Sequence, residues 1–405
     1  MNKRIVLSYS GGLDTSVAIK WLMEKGFDVV TLTADVGQQK DLDGAVERAR
    51  KTGAVKTYLV DCKSEFVTGY VWPSLMANAL YEGYPLSSAL SRPLICKKLV
   101  DVADKEDAEY IAHGCTGKGN DQVRFDLSIG ALSPEKKVTA PAREWGLSRG
   151  EEAQYALDRG IPIPNPDYLS RYSIDDNLWG RSIEGGALED PTVEPPGEVY
   201  AWTRTISETP DEPQYLDISF EQGIPTAIDG TKTDPVTLVQ RLNEVGGRHG
   251  VGRIDLIEDR LVGIKSREIY ECPGALILIE AHRDLEHLTL SRELLHFKRT
   301  IEEKYAQMTY YGEWFDPLMD ALSSFIRTSQ EYVTGHVTLK LFRGSATVVG
   351  RGSPYSLYDY GLATYGQNDA FPKAAKGFID LWGLSLLVSS RVHQKAKANR
   401  AQPRR

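Results

Sequence analysis

Two glycine-bearing strings hold the residues best suited to chemistry. The first, Ser8-Tyr9-Ser10-Gly11-Gly12-Leu13-Asp14-Thr15-Ser16, joins the apolar run Arg4-Ile5-Val6-Leu7 to a stretch with Val17, Ala18, Trp21 and Leu22 at helical spacing. Glycines without a Cβ let backbone N–H groups close on an anion, and the free N–H groups of a helix start carry about half a positive charge. A pyrophosphate fits that cradle. No lysine follows the glycines, which disfavours a Walker-type loop and γ-phosphate transfer. A bare Ser-Gly-Gly makes no more than a strand-to-helix turn capped by Asp14, Thr15 or Ser16.

The second string is His113-Gly114-Cys115-Thr116-Gly117-Lys118-Gly119-Asn120-Asp121-Gln122-Val123-Arg124-Phe125, after the apolar Tyr110-Ile111-Ala112. Gly114, Gly117 and Gly119 permit close backbone approach, and Lys118 can neutralise phosphate charge. Thr116, Asn120, Asp121 and Arg124 offer donors and acceptors suited to an amino acid. An ordinary polar loop explains the glycines and the lysine, but not this density of hydrogen-bonding side chains. Ligands of an open parallel sheet sit beyond the carboxyl ends of its strands, so both strings are expected on one rim.

That rim needs a frame. Apolar runs alternate with helical patterns through the first third: strands near 4–9, 27–34, 55–60 and 109–113, helices near 14–25, 42–52, 64–77 and 94–105. Gly26 and Gly53 sit where helix C-terminal glycines belong. The rhythm predicts a parallel sheet wrapped by helices. Ser148-x-x-Glu151 predicts a capped helix over 148–158, and the proline-rich 161–166 reads as a linker. Beyond it, strands are expected at 215–220, 252–257, 266–270, 274–280 and 336–342, with Arg343-Gly344 turning into 345–350. Long helices are expected over 284–307 and 315–332, which makes this half α+β. Residues 371–388 are too apolar for a free tail; we expect that helix to dock on another subunit, its own domain serving about as well. Residues 395–405 form a basic end.

Composition sets outer bounds. A chain of 405 residues, 41% hydrophobic and 26% charged, is ordinary for a two-domain globular protein. Its net charge of −8 argues against a general nucleic-acid binder. Cys62, Cys96, Cys115 and Cys272 are scattered, so neither a zinc site nor a disulfide framework is indicated, and a reducing cytoplasm fits. The run after Met1-Asn2-Lys3-Arg4 is too short for a signal peptide, and no apolar stretch approaches about 18 residues, so no membrane contact is expected. His249, His282, His287, His296, His336 and His393 show no ligand spacing; His113 abuts the second string, either in the site or as a satisfied strand-end residue.

The first string resembles the Ser-Gly-Gly-x-Asp-Ser signature of the ATP pyrophosphatase (PP-loop) superfamily, with Thr15 before Ser16 as in its argininosuccinate synthase branch. The second closely resembles the matching segment of that branch, and the resemblance spans nearly the whole chain. It implies an α/β fold: an N-terminal parallel-sheet nucleotide-binding domain (HUP or ATP-pyrophosphatase-like) over 1–165, an α+β synthetase domain over 166–365, and a C-terminal oligomerisation helix and tail over 366–405. It also implies a cytoplasmic homotetrameric ligase of arginine biosynthesis. Such a ligase joins L-citrulline and L-aspartate into argininosuccinate through a citrullyl adenylate, with ATP as substrate, Mg²⁺ assisting, and release of AMP and pyrophosphate.

By the same resemblance, Ser8 to Ser16, Ala34 and Gly114 line the nucleotide site, and Thr116, Asn120 and Asp121 hold aspartate. Tyr84, Asn120, Arg124, Ser173, Ser182, Glu258 and Tyr270 hold citrulline, with Arg124 on its carboxylate and Glu258 suited to an ammonium. No metal-ligand set is predicted, though Asp14 or Asp121 is placed to help Mg²⁺. On residue type alone the string 173–182, polar around Trp179, reads as solvated surface, and Glu258 and Tyr270 as common edge residues. Some relatives carry serine where Ala89 stands, which leaves Ser87 and Ser88 both open as its replacement. The alternatives are another PP-loop adenylating synthetase and a non-catalytic nucleotide-binding module. An amidotransferase needs a catalytic N-terminal cysteine, a tRNA sulfur-transfer enzyme needs reactive cysteines and a basic surface, and a sensor has no use for Thr116, Asn120, Asp121 and Arg124 together.

Overall fold

Side chains that alternate between two buried faces build the first sheet. The computed structural model describes residues 3–117, 119–162, 172–364 and 370–401. Strands β1 (Lys3–Ser8), β2 (Phe27–Asp35), β3 (Lys56–Asp61), β4 (Tyr110–Ala112) and β5 (Lys137–Thr139) lie parallel in the order β3-β2-β1-β4-β5. Ile5 and Leu7 pack with Ala18, Ile19 and Leu22 on one face, while Val6 joins Val30, Leu99, Ile111 and Phe125 on the other. Burial on both sides is what a parallel sheet requires. The chain winds outward from β1 to β3 and then returns to the far side at β4, so the order reverses between β1 and β4. That is the topological switch point, and the two strings leave from its two strands.

Helix ends follow the expected chemistry here. Gly53 closes the helix Leu42–Thr52 in a left-handed conformation with φ +117°, and Ser148 and Glu151 form the reciprocal capping box of Arg149–Asp158. The helix expected near 94–105 starts earlier, at Ser87, and runs through Pro93. Twelve buried side chains on this helix outweigh the one hydrogen bond that proline removes. The 64–77 helix is interrupted by a π-helical turn, Val67–Val71.

The next strands are β6 (Ser173–Asn177), β7 (Gly180–Glu184), β8 (Gln214–Glu221), β9 (Ile224–Ile228), β10 (Thr231–Lys232), β11 (Arg253–Asp259), β12 (Lys265–Glu271), β13 (Gly335–Phe342) and β14 (Ser345–Gly352). They form antiparallel sheets in the orders β11-β12-β7-β6 and β10-β9-β8-β13-β14. Arg343 and Gly344, with φ +44° and +85°, make the β13–β14 turn as expected. Two expectations are corrected. Residues 274–280 are not a strand but the start of the helix Pro273–Thr289, because a short apolar run looks alike in either element and Pro273 supplies a helix start. The single helix expected over 284–307 is broken at Leu290 and Ser291, whose ψ values of 144° and 153° are extended; Arg292–Tyr311 begins afresh.

Met1–Tyr355 forms one compact unit and Ser356–Arg405 a second. In the second, the apolar stretch is two helices, Ala370–Trp382 and Leu384–Ala401, rather than one, and the latter carries helix into the expected basic end. The expected linker falls largely outside the described residues. No described helix is long and apolar enough to cross a membrane.

Candidate active site

The first string turns sharply under the helix Leu42–Thr52. Gly11 has φ +78°, and a Cβ there would stand 2.7 Å from Ala45 Cβ, so only glycine fits. Gly12 caps the helix Leu13–Glu24 in extended conformation without a side-chain bond, leaving that helix start open. The second string packs directly on the first: a Cβ on Gly114 would lie 2.7 Å from Thr15 Cγ2. The two turns are therefore in contact.

A cavity opens over this contact. Its wall holds Ser8, Tyr9, Ser10, Gly12, Asp14, Thr15, Ala34 and Gly114, together with Lys40, Arg92, His113, Asp175 and Asp176. Of the expected residues, Gly11, Leu13 and Ser16 stand behind the wall, and Ser16 Oγ lies 3.0 Å from the Tyr9 hydroxyl. Lys118 lies outside the described residues. His113 bonds Asp126 through Nε2 at 2.9 Å and accepts the Cys115 N–H on Nδ1 at 3.2 Å, so it shapes the second turn as a satisfied strand-end histidine on the cavity wall. Behind Asp14, the Glu152 carboxyl is pushed up to about 8 by burial and by the adjacent Asp14 carboxyl.

A second cavity gathers Tyr84, Thr116, Asn120, Asp121, Arg124, Ser173, Ser182, Glu258 and Tyr270, which are far apart in the chain. It shares Asp14, Gly114, Cys115, Asp121, Ser173 and Asp175 with the first, so the two have a common wall. Arg124 gives Nε to the Tyr310 carbonyl at 2.9 Å and Nη1 to Asp121 at 2.9 Å; its buried Nη2 has no hydrogen-bond partner among the described residues. A buried guanidinium nitrogen left over on a cavity wall is a site for an anion. Asp121 takes Arg92 Nη2 at 2.6 Å as well. Burial alone would raise its carboxyl, but the two guanidiniums hold it well below the usual carboxylate range.

Antiparallel pairing brings the remaining residues together. Register sets Ser182 of β7 against Tyr270 of β12 on one side and Asp175 of β6 on the other. The reading of 173–182 as solvated surface is overturned: Trp179 is 1% exposed and donates to the Pro85 carbonyl at 2.9 Å, which pins the hairpin to the segment carrying Tyr84. Tyr84 stacks on Tyr270 at 4.0 Å, and its hydroxyl accepts the Ser88 N–H at 2.7 Å. Glu258, 2% exposed, accepts the hydroxyls of Tyr270 and Tyr310. Beside Ala89, Ser88 lines the cavity with Oγ 3.4 Å from Ser182 Oγ, while Ser87 is fully buried and turned to Tyr84.

Residues 4–162 match the model of the arginosuccinate synthase N-terminal HUP domain, and residues 172–389 that of the arginosuccinate synthase C-terminal domain. The argininosuccinate synthase of Bacillus subtilis (strain 168) is 57% identical over 396 residues, covering 97% of this chain and 98% of that protein. That of Geobacillus thermodenitrificans (strain NG80-2) is 56% identical over 400 residues, 98% of each. That of Dehalococcoides mccartyi (strain CBDB1) is 53% identical over 411 residues, 99% of this chain and 100% of the relative. The chain belongs to the argininosuccinate synthase family.

Within this member of the family, several cavity residues escaped sequence reasoning. Arg92 spans Asp121 and Asp175, at 2.6 and 2.7 Å, and so ties the helix Ser87–Lys105 to both the second turn and β6. Arg260 bonds Glu184 and Glu268 on the cavity rim, and the Glu268 carboxyl is pushed up to about 8 by burial and by Glu184. Tyr310 sits in the last turn of Arg292–Tyr311. Nothing in the local pattern singles these out, since each occupies an unremarkable helical or strand position and gains its role from partners far along the chain.

Proposed function

We propose that these adjoining cavities ligate L-citrulline and L-aspartate into argininosuccinate at the expense of ATP. The observation that carries the reading is the common wall, formed where two turns leave neighbouring strands at the switch point. A ureido oxygen is a very poor leaving group. Attack by that oxygen on the α-phosphorus of ATP expels pyrophosphate and leaves a citrullyl adenylate. The aspartate amine then adds to the ureido carbon, and AMP departs with the former ureido oxygen.

Catalysis is alignment plus charge stabilisation, each worth several kcal/mol. In this reading the open helix start at Gly12 and the turn Ser8 to Ser16 grip the departing pyrophosphate, with Ala34 and Gly114 beside the nucleotide. Arg124 offers its unpaired Nη2 to the citrulline carboxylate, and Glu258 faces the ammonium, with Tyr84, Ser173, Ser182 and Tyr270 around them. Thr116, Asn120 and Asp121 serve aspartate. Asp121 does so as an anchored acceptor, since both its oxygens already hold guanidiniums. Ser88 is the side chain that stands in for a serine at Ala89. Mg²⁺, which would neutralise the phosphates, fits better beside Asp14 than beside Asp121 for the same reason.

The reading extends to architecture. We assign 1–165 to nucleotide binding, 166–365 to synthetase function and 366–405 to assembly. Leu381, Trp382 and Leu386 are 73–74% exposed in the single chain, which supports burial against further copies in a homotetramer. The cytoplasm is the compartment this chemistry implies. Incubation with the three substrates should yield argininosuccinate, AMP and pyrophosphate in equal amounts; ADP and orthophosphate would overturn the reading.

A further inference from the structure

Tyr310 touches three residues that line the second cavity. Its hydroxyl donates to Glu258 and accepts Asn120 Nδ2 at 2.8 Å. Its carbonyl takes Arg124 Nε at 2.9 Å, and its ring centroid lies 4.8 Å from the Arg124 guanidinium. The ring itself stacks on Tyr81 at 3.7 Å and 10°. Just beyond, Gly312 turns with φ +80°, and a Cβ there would come within 2.8 Å of Arg124 Cα, so the end of this helix is seated on Arg124.

The hydrogen count makes the arrangement directional. A phenol has one proton, and Tyr310 gives it to Glu258. Asn120 must then present its NH₂ to the phenol oxygen. Its Oδ1 takes the Leu261 N–H at 2.9 Å, which fixes the amide from both ends. One N–H and one lone pair of Asn120 remain for a ligand. Burial and the neighbouring Glu258 hold the phenol well above its ordinary range, so this proton stays in place across the working pH.

We propose that Tyr310 is a positioning residue for citrulline: it sets the Asn120 amide, the Glu258 carboxylate and the Arg124 guanidinium as one constellation. This rests on the assignment of the second cavity to citrulline. Tyr310 itself acts through the three side chains it holds.

Tyr310→Phe keeps the ring, both stacking contacts and the carbonyl, and removes only the hydroxyl. Steady-state kinetics of the full-length protein should show the citrulline KM raised by ten-fold or more, with the ATP KM within about twofold and kcat within about threefold, because the loss is of uniform binding. Tyr305→Phe, a buried phenol of the same helix that lines neither cavity, should leave all three KM values unchanged. Fluorotyrosine at position 310 retains the hydroxyl and should restore the citrulline KM. Equal citrulline KM values for Tyr310→Phe and wild type, an ATP KM that climbs in parallel, or failure of fluorotyrosine to rescue would each overturn the proposal. A wild-type protein that turns over ATP without any dependence on citrulline would instead sink the substrate assignment, and this inference with it.

Discussion

The first cavity draws much of its wall from two contiguous glycine-bearing strings, with residues at and after the end of β2, the helix Ser87–Lys105 and β6 completing it, whereas the second gathers residues from at least six separated segments. Backbone cradles are local: a strand, a glycine turn and a helix start suffice, and each is written in consecutive residues. A cavity that must recognise an amino acid needs charge of both signs at fixed separations, and only tertiary packing sets those. Tolerance to substitution should differ accordingly. In the first region Gly11 and Gly114 leave no room for a Cβ and hydroxyls are individually modest, while in the second a single guanidinium or phenol holds several partners.

The largest break in that contrast should come from Arg92→Met. It removes two charge-assisted hydrogen bonds, worth about 1.5–3 kcal/mol each, from Asp121 and Asp175 on the common wall, and Asp121 keeps only Arg124. Loss of kcat/KM on the order of 10³-fold is expected with citrulline and aspartate alike, read from initial rates. Next comes Gly114→Val, whose side chain must intrude on Thr15. It should raise the ATP KM roughly 30-fold, by the logic that steric misplacement of a phosphate site removes well-aligned bonds, with little change in citrulline affinity measured by calorimetry. A smaller effect is expected of Ser88→Ala, about threefold on the citrulline KM, since it removes one weak hydroxyl contact worth roughly 0.5–1 kcal/mol.

A pH effect, read in stability rather than in rate, is expected behind the first turn. Glu152 keeps its proton in the folded chain up to about 8, whereas the unfolded chain releases it near 4.5. Its contribution is therefore fully present below the unfolded value and is lost as pH rises through the folded one. Urea midpoints should fall between pH 5 and pH 8, and Glu152→Gln should flatten that fall. An unchanged slope would place the proton elsewhere, for instance on Glu268, which is shifted in the same direction.

Much of the first region could be read from residue order. Ile5 and Leu7 on one face and Val6 on the other follow from period two, and Gly11, Gly53 and Ser148 occupy the turn and cap positions that their chemistry demands. The second region was legible mainly where a string resembled a family, as at Ser173, Ser182, Glu258 and Tyr270. Trp179 shows why residue type misleads there: polar neighbours suggested water, yet its indole is buried through a bond to Pro85, 94 residues away. Residues 274–280 show the same limit in a helix, because seven apolar-leaning residues carry no decisive period. Arg92 and Tyr310 had no local signal at all, as their partners lie 29 to 190 residues distant.

The shared wall between the cavities predicts direct transfer of AMP to the ureido oxygen. Citrulline labelled with ¹⁸O at that oxygen, turned over with ATP and aspartate and analysed by mass spectrometry, should deliver one ¹⁸O into each AMP released. Unlabelled AMP would contradict the account, because the nucleotide would then have left without ever being joined to citrulline.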